Sequence, residues 1–293
     1  MTASRLSPVV SHVVSPVVRL LAGAALLLPL AGLVALPRTA AAQRDERSEP
    51  NAFTWTGSIP AGRWIYVRNL NGPIRVERGG DRVEVVAERR WGRDADPKRV
   101  RFTAEKAGDG QSMVVCAIWS ESGSCDEDGY SRERDSRWGD RDDGWVAVDF
   151  VVRVPSGVRV DVRTVNGSLE VRGATAEVVA RTTNGGVRAE TLGGPVDART
   201  TNGSIFASMR SVGDARDLDF RTTNGSVTVE MPASLGAEVE MSTVNGRVST
   251  EFPVTISGRI DPKRLRARVG DGSRRVSMRT VNGSVELRRA SDR

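Results

Sequence analysis

Few residues in this 293-residue chain could do chemistry at an active site. The one histidine, His12, lies in an N-terminal segment that we expect to be removed on export. A mature chain without histidine excludes Ser-His-Asp and Cys-His nucleophilic arrangements and the usual His-containing zinc or iron sites. Catalysis would have to rely on carboxylates, tyrosine, lysine or a Ser-Lys pair. We therefore predict a protein that is not an enzyme and has no cofactor.

Acidic and aromatic side chains concentrate between Trp119 and Gly144. The acids could supply oxygen ligands to Ca²⁺, but arginines are interleaved and no EF-hand spacing is present. We predict a solvated charged loop without a metal, and packing rather than sugar stacking for the aromatic residues. The acids are Asp126, Glu127, Asp128, Asp140, Asp142 and Asp143, the arginines are Arg132, Arg134, Arg137 and Arg141, and the aromatic residues are Trp119, Tyr130, Trp138 and Trp145.

The two cysteines are Cys116 and Cys125. In an exported chain, an even pair this close in sequence is most simply a disulfide. Two free thiols are the alternative.

The first 42 residues have the pattern of a secretory signal peptide. Arg5 and Arg19 precede an apolar run from Leu20 to Leu36, and Ala40-Ala41-Ala42 supplies an A-x-A cleavage site. We therefore predict export to the periplasm or the cell exterior, cleavage near Ala42 and no retained transmembrane segment. A retained anchor is the alternative, although Pro29 and several Gly and Ala make a poor spanning helix. Cleavage leaves nearly equal numbers of basic and acidic residues, which argues against a nucleic-acid partner.

An internal repeat built on Asn-Gly provides the strongest signal in the sequence. Asn and Gly both tolerate the positive φ that a tight turn demands. Successive Asn residues from 166 onward are 18, 18, 22, 21 and 37 positions apart, and a degenerate copy is expected in the last gap near Gly270-Asp271-Gly272. The predicted turns are Asn71-Gly72, Asn166-Gly167, Asn184-Gly185, Asn202-Gly203, Asn224-Gly225, Asn245-Gly246 and Asn282-Gly283.

Each turn is flanked by apolar residues that alternate with polar ones, as in half-buried strands. The apolar positions change from even to odd spacing, or the reverse, across each Asn-Gly. Either a two-residue hairpin or a bend between two strands of one solenoid coil explains that switch. We predict an all-β repeat protein, a β-solenoid similar to a parallel β-helix, with stacked hairpins or a sandwich as the alternative. The expected organisation is a signal peptide (1–42), a β region (43–157) with a charged insertion (119–144), and the Asn-Gly repeat array (158–293).

Stacking would also align outward-facing charges in columns. The predicted arginine column consists of Arg163, Arg181, Arg199, Arg221 and Arg279, with an acidic column of Asp161, Asp197, Asp219 and Glu240 two residues earlier. Mutual neutralisation on a solvated face is the simpler interpretation. The functional interpretation is a ladder that binds anionic glycans.

The recurrent Thr-Val/Thr-Asn-Gly-Ser turn resembles the bacterial β-strand-repeat family known as domain of unknown function 4097, whose members are described as adhesins. The resemblance covers roughly residues 53–287. It implies a β-repeat fold and an extracytoplasmic role, and it supplies no catalytic residues.

We expect an exported, non-catalytic cell-envelope scaffold or adhesin-like binding module, with envelope glycans or surface proteins as partners. One alternative is a carbohydrate-active lyase or hydrolase on a β-helix, and another is a regulatory partner in envelope stress.

Overall fold

Alternating apolar residues fold into twenty-three strands in the computed structural model, which describes residues 51–119, 123–131, 144–214, 217–256 and 261–290. The predicted signal peptide lies outside these residues. The strands are β1 (Ala52–Gly57), β2 (Trp64–Arg68), β3 (Ile74–Arg78), β4 (Val83–Trp91), β5 (Arg101–Lys106), β6 (Met113–Ile118), β7 (Ser124–Cys125), β8 (Tyr130–Ser131), β9 (Val146–Val154), β10 (Arg159–Arg163), β11 (Leu169–Ala174), β12 (Val178–Arg181), β13 (Val187–Thr191), β14 (Val196–Arg199), β15 (Ile205–Met209), β16 (Asp217–Arg221), β17 (Val227–Met231), β18 (Ala237–Ser242), β19 (Val248–Thr250), β20 (Thr255–Ile256), β21 (Arg264–Val269), β22 (Arg274–Arg279) and β23 (Val285–Arg289). A 3-10 turn spans Pro97–Arg99.

Two long sheets contain nearly all of these strands. Sheet A has the order β1-β4-β9-β3-β11-β13-β15-β17-β23-β19, and sheet B has the order β20-β21-β18-β22-β16-β14-β12-β10-β2-β6-β5. One repeat contributes a strand to sheet B, passes the Asn-Gly turn, and contributes the next strand to sheet A. Successive repeats pair in parallel, as Val160 with Val178 and Leu169 with Val187. The predicted β-solenoid is confirmed, and the two strands flanking a turn do not form a hairpin.

At both ends of the stack, the order of coils departs from the order of the chain. The coil formed by β6 and β9 lies outside the earlier coil of β2 and β3, and the coil of β22 and β23 inserts between that of β16–β17 and that of β18–β19. The expected degenerate repeat near Gly270 is wrong. Instead, β21 turns back antiparallel to β18, and residues 270–273 connect it to β22. This excursion accounts for the 37-residue gap.

Antiparallel strands extend the sheets at the ends of the stack: β4 and β1 extend sheet A and β5 extends sheet B at one end, and β21 and β20 extend sheet B at the other. Each sheet still ends on a strand that is paired on one side among the described residues: β1 and β19 in sheet A, and β5 and β20 in sheet B. Between the sheets, inward side chains form one continuous core. Fully buried members include Val67, Val162, Phe220 and Met278.

The charged insertion connects β6 to β9, where the other coils have their turn. Residues 123–131 form the β7–β8 hairpin, and the Cys116–Cys125 disulfide ties this hairpin to β6. Residues 120–122 and 132–143, which include Trp138 and Asp140, Asp142 and Asp143, lie outside the described residues. In the part of the chain that the structure describes, no helix has the length and apolar composition needed to span a membrane.

Candidate functional site

The Asn side chains of the turns form a hydrogen-bonded ladder along the stack. In every coil except that of Asn71, the amide nitrogen donates to the side-chain oxygen of the Asn in a neighbouring coil at 2.7–2.8 Å. In stacking order, the ladder runs through Asn71, Asn166, Asn184, Asn202, Asn224, Asn282 and Asn245. Because each interior Asn both donates and accepts, the ladder satisfies polar groups at the turns and links consecutive coils.

A threonine two residues before each Asn lies buried beneath the ladder. Its hydroxyl donates to the turn glycine carbonyl of the neighbouring coil, as in the 2.8 Å bond from Thr200 to Gly185. Equivalent bonds start from Thr164, Thr182, Thr222, Thr243 and Thr280. In the first copy, Asn69 takes this position and donates to the carbonyls of Gly72 and Val148.

Close stacking of backbones explains why the turns need glycine. A Cβ added at Gly203 would lie 2.1 Å from the carbonyl oxygen of Gly185. At Gly167 the corresponding distance to the Gly72 oxygen is 2.0 Å, although the φ of Gly167 is outside the left-handed region. Positive φ, the reason inferred from sequence, is therefore only part of the cause.

Sheet B carries a row of arginines on its outer face, beside the turns. Parallel register places the five predicted arginines side by side, and Arg68 of β2 precedes Arg163 in the same row. We call Arg68, Arg163, Arg181, Arg199, Arg221 and Arg279 the arginine row. Arg68 stands three residues before Asn71, as Arg163 does before Asn166, and this shared spacing is the sequence signal for its place in the row. Neighbouring members are spaced by about 4.8 Å, the distance between paired strands.

The β7–β8 hairpin covers one end of the arginine row. Arg68 is 1% exposed, donates to the Asp161 carboxylate at 2.8 Å and reaches the carbonyl of Glu127. Burial lowers the pKa of Arg68, and Asp161 opposes that effect. Arg163 donates to the carbonyl of Asp128 at 2.7 Å. Arg68 and Arg163 therefore bind the β7–β8 hairpin.

The other four arginines remain partly open to solvent. Arg199 and Arg221 each contact Asp219 at 2.8 Å, and Arg279 contacts Glu240 at 3.0 Å. The contacts of Asp197 are longer, 3.9 Å to Arg181 and 3.7 Å to Arg199. Burial raises the pKa of Asp197, and the nearby arginines only partly offset this.

The four acidic residues predicted to run beside the arginine row do not occupy every coil. Val179 lies between Asp161 and Asp197 in the register, and Ser277 lies between Asp219 and Glu240. Neutralisation of the arginine row is therefore incomplete.

A groove of about 700 Å³ continues the basic surface at the C-terminal end of sheet B. Arg266, Arg268 and Arg275 line it, together with Glu238 and Glu240. Burial opposes ionisation of Glu240, but hydrogen bonds from Arg266 and Arg279 outweigh that effect and hold its pKa below the usual value. Among the described residues, Arg275 has no carboxylate partner within ion-pair distance.

Sheet A has a smaller groove of about 220 Å³ on its outer face. Glu88 and Asp149 lie directly opposite each other across β4 and β9, and Glu170 also lines the groove. Arg90 pairs with Asp149 at 2.8 Å, and Arg75 pairs with Glu170 at 3.1 Å. The groove thus holds several carboxylates, two of which are neutralised by arginine.

The aromatic residues of the insertion behave differently from one another. Trp119 is buried, and the hydroxyl of Tyr130 donates to the Ala117 carbonyl at 2.7 Å. Trp145 is 57% exposed and lies over Gly92, so packing does not account for its outer ring face. In the described ranges, no group of three or more acidic, His or Cys side chains is placed to hold a metal ion.

Parallel coils around one core make this protein a β-solenoid. The family model Toastrack DUF4097 matches residues 139–288, just over half of the chain, and the chain belongs to this family. The family resemblance predicted from the repeats is thereby confirmed.

Solved structures of similar proteins are distant in sequence. A candidate cell adhesion protein from Clostridium sporogenes is similar over 82% of this chain and 100% of its own, with 8% identity and a TM-score of 0.45. A candidate adhesin from Bacteroides fragilis is similar over 82% of this chain and 97% of its own, with 9% identity and a TM-score of 0.34. No curated protein matches the sequence.

Proposed function

We propose that this protein is an exported, non-catalytic scaffold or adhesion module of the cell envelope, and that the open part of the arginine row binds anionic envelope glycans. The observation that supports this proposal most directly is the in-register series Arg181, Arg199, Arg221 and Arg279. These arginines lie on a scaffold whose turns are hydrogen-bonded from one coil to the next. Guanidinium groups recognise carboxylates and phosphates through planar, paired hydrogen bonds.

The spacing and direction of the row support a linear ligand. The row runs along the stacking axis with one arginine per coil, so an extended polyanion could contact several coils at once. Each contact would be weak because the arginines are partly exposed and partly paired. Repetition would supply affinity by multivalency. The groove containing Arg275 extends the same surface.

Three features support the proposed compartment. The N-terminal sequence has the signal-peptide pattern, the Cys116–Cys125 disulfide suits an oxidising compartment, and the family resemblance implies an extracytoplasmic role. We retain the proposed division into residues 1–42, 43–157 and 158–293 as a description of sequence, although coils from both later segments share one core.

Two measurements test this proposal. Cell fractionation with N-terminal sequencing should recover a chain beginning near Gln43 outside the cytoplasm. A glycan array and an envelope pull-down with that chain should retain acidic polysaccharides in preference to neutral ones. Recovery of an uncleaved cytoplasmic chain would contradict the export claim. Equal retention of neutral and acidic glycans, or of none, would contradict the binding claim.

A second candidate, a carbohydrate-active enzyme, is favoured by the Glu88–Asp149 pair in the sheet A groove. Two facing carboxylates are the catalytic groups of most glycosidases. Release of new reducing ends or unsaturated sugars by the wild-type chain, lost in Asp149→Asn, would establish this activity. We expect no such release.

A further inference from the structure

The first strand of sheet A leaves a free edge at the N-terminal end of the stack. β1 pairs with β4 on one side and has no strand on its other side among the described residues. At this end, sheet A extends two antiparallel strands beyond its last parallel coil, whereas sheet B extends only β5. The edge of β1 therefore projects past that of β5 by about one strand spacing, ~4.8 Å.

The backbone groups on this edge can be assigned from one hydrogen bond. Arg89 N–H donates to the Asn51 carbonyl at 2.7 Å, which makes Asn51 and Arg89 a hydrogen-bonded pair. Because such pairs alternate in an antiparallel ladder, Phe53 and Trp55 bond to β4, whereas residues 52, 54 and 56 direct their N–H and C=O groups to the free edge.

Little in the described structure covers this edge. The Arg82 guanidinium approaches the carbonyl of Thr56 at 3.5 Å, the long limit of a hydrogen bond. Thr54, at the centre, is exposed, and its outward N–H and C=O have no partner among the described residues. Among the described residues, a partner strand would need to displace only the weak Arg82 contact.

Charge distinguishes β1 from the neighbouring edge strand β5. No residue from Asn51 to Ile59 is charged, whereas β5 contains Arg101, Glu105 and Lys106. Charged side chains are a common protection against edge-to-edge pairing. If β5 paired antiparallel with a copy of itself about its centre, Arg101 would face Lys106. A self-paired β1 has no such repulsion.

We infer that β1 pairs antiparallel with β1 of a second copy of this chain, about a two-fold axis at Thr54. Thr54 then faces Thr54 of the second copy, and Ala52 faces Thr56, with two backbone hydrogen bonds at each of the three residue pairs. Phe53 and Trp55, both half-buried, become cross-strand neighbours on the core side. The contact is isologous and closes as a dimer with a continuous sheet A.

A charge-swap experiment tests this register without disturbing the β1–β4 bonds. Sedimentation velocity of the purified full chain should show a concentration-dependent dimer. Thr54→Lys and Thr54→Glu should each raise the dimer dissociation constant at least about tenfold, because like charges meet at the axis. Mixing the two variants should restore the dimer mass. Thr54→Val, which keeps the N–H and adds no charge, is the matched control and should dimerise as the wild type does.

Three outcomes would overturn the inference: a wild-type chain that stays monomeric at all concentrations, a Thr54→Lys variant that dimerises like the wild type, or a Lys–Glu mixture that stays monomeric. The far-ultraviolet circular dichroism of each variant verifies its fold. Thr54→Pro removes an outward N–H and should also weaken the dimer. The inference does not depend on the proposed glycan binding.

Discussion

The turn edge and the arginine row repeat with the same period, yet their polar groups are satisfied differently. At the turns, Asn, Gly and Thr make the same contacts in coil after coil. In the arginine row, Arg68 is buried under a hairpin, Arg199 and Arg221 share Asp219, and Arg181 contacts Asp197 at the longer distance of 3.9 Å. The difference indicates that turn residues hold the stack together, and the proposed ligand site consists of the arginines that stay partly open to solvent.

The largest effect on stability should come from a methyl group at one of the close glycine contacts between turns. Gly203→Ala places Cβ 2.1 Å from the carbonyl oxygen of Gly185, so neighbouring coils must separate. We expect the free energy of unfolding to fall by about 3 kcal/mol or more. Chemical denaturation followed by circular dichroism measures this change.

Gly213→Ala is the matched control for that prediction. Gly213 has a φ of +53° but no atom within 4 Å of an added Cβ. Only the left-handed backbone penalty remains there, about 1–2 kcal/mol. Equal losses in the two variants would mean that positive φ, rather than close stacking, selects glycine at the turns.

Removing a buried hydroxyl should have the next largest effect. Thr200→Val keeps the shape of the side chain but leaves the Gly185 carbonyl without its 2.8 Å bond from the hydroxyl. We expect a loss of about 1–2 kcal/mol in the free energy of unfolding. Thr201→Val changes the exposed neighbour and should stay within about 0.5 kcal/mol of wild type. A similar loss at both positions would contradict the role assigned to the buried threonines.

The stability lost on removing an Asn from the ladder should depend on whether that Asn is interior or terminal. Asn202→Ala removes two side-chain bonds, one to Asn184 and one from Asn224, whereas Asn245→Ala removes only the bond to Asn282. We expect losses of about 1 kcal/mol and about half of that, respectively, because these bonds are exposed. Thermal unfolding of both variants measures the ratio, and equal losses would argue against a contribution from each bond of the ladder.

The smallest expected effect is a stabilisation in the arginine row. The pKa of Asp197 is raised by burial, so the protonated form favours folding. That stability is present below the ordinary carboxyl pKa and is lost as the pH rises through the raised value. Asp197→Asn should therefore raise the melting temperature at pH 7, and the gain should shrink under acidic conditions. Asp219→Asn, which breaks two 2.8 Å ion pairs, should instead lower it.

Local features of the fold were accessible from sequence because they depend on local chemistry. Alternation and the Asn-Gly motif predicted the strands, the turns and the solenoid, and nearby Cys116 and Cys125 predicted the disulfide. The order of coils was not accessible, because nothing in Arg279-Thr280-Val281-Asn282-Gly283 distinguishes an inserted coil from a terminal one. The same holds for burial of Arg68, which depends on a hairpin almost sixty residues away.

The central claim is that the open arginines bind a polyanion, and one binding comparison tests it most directly. Titration of a uronic acid polymer into the wild-type chain is compared with titration into the triple variant Arg181→Gln, Arg199→Gln, Arg221→Gln. The control variant, Arg172→Gln, Arg188→Gln, Arg288→Gln, removes three ion-paired arginines from sheet A. We predict at least about tenfold weaker binding for the first variant and nearly unchanged binding for the control. Equal affinities for all three proteins would contradict the account.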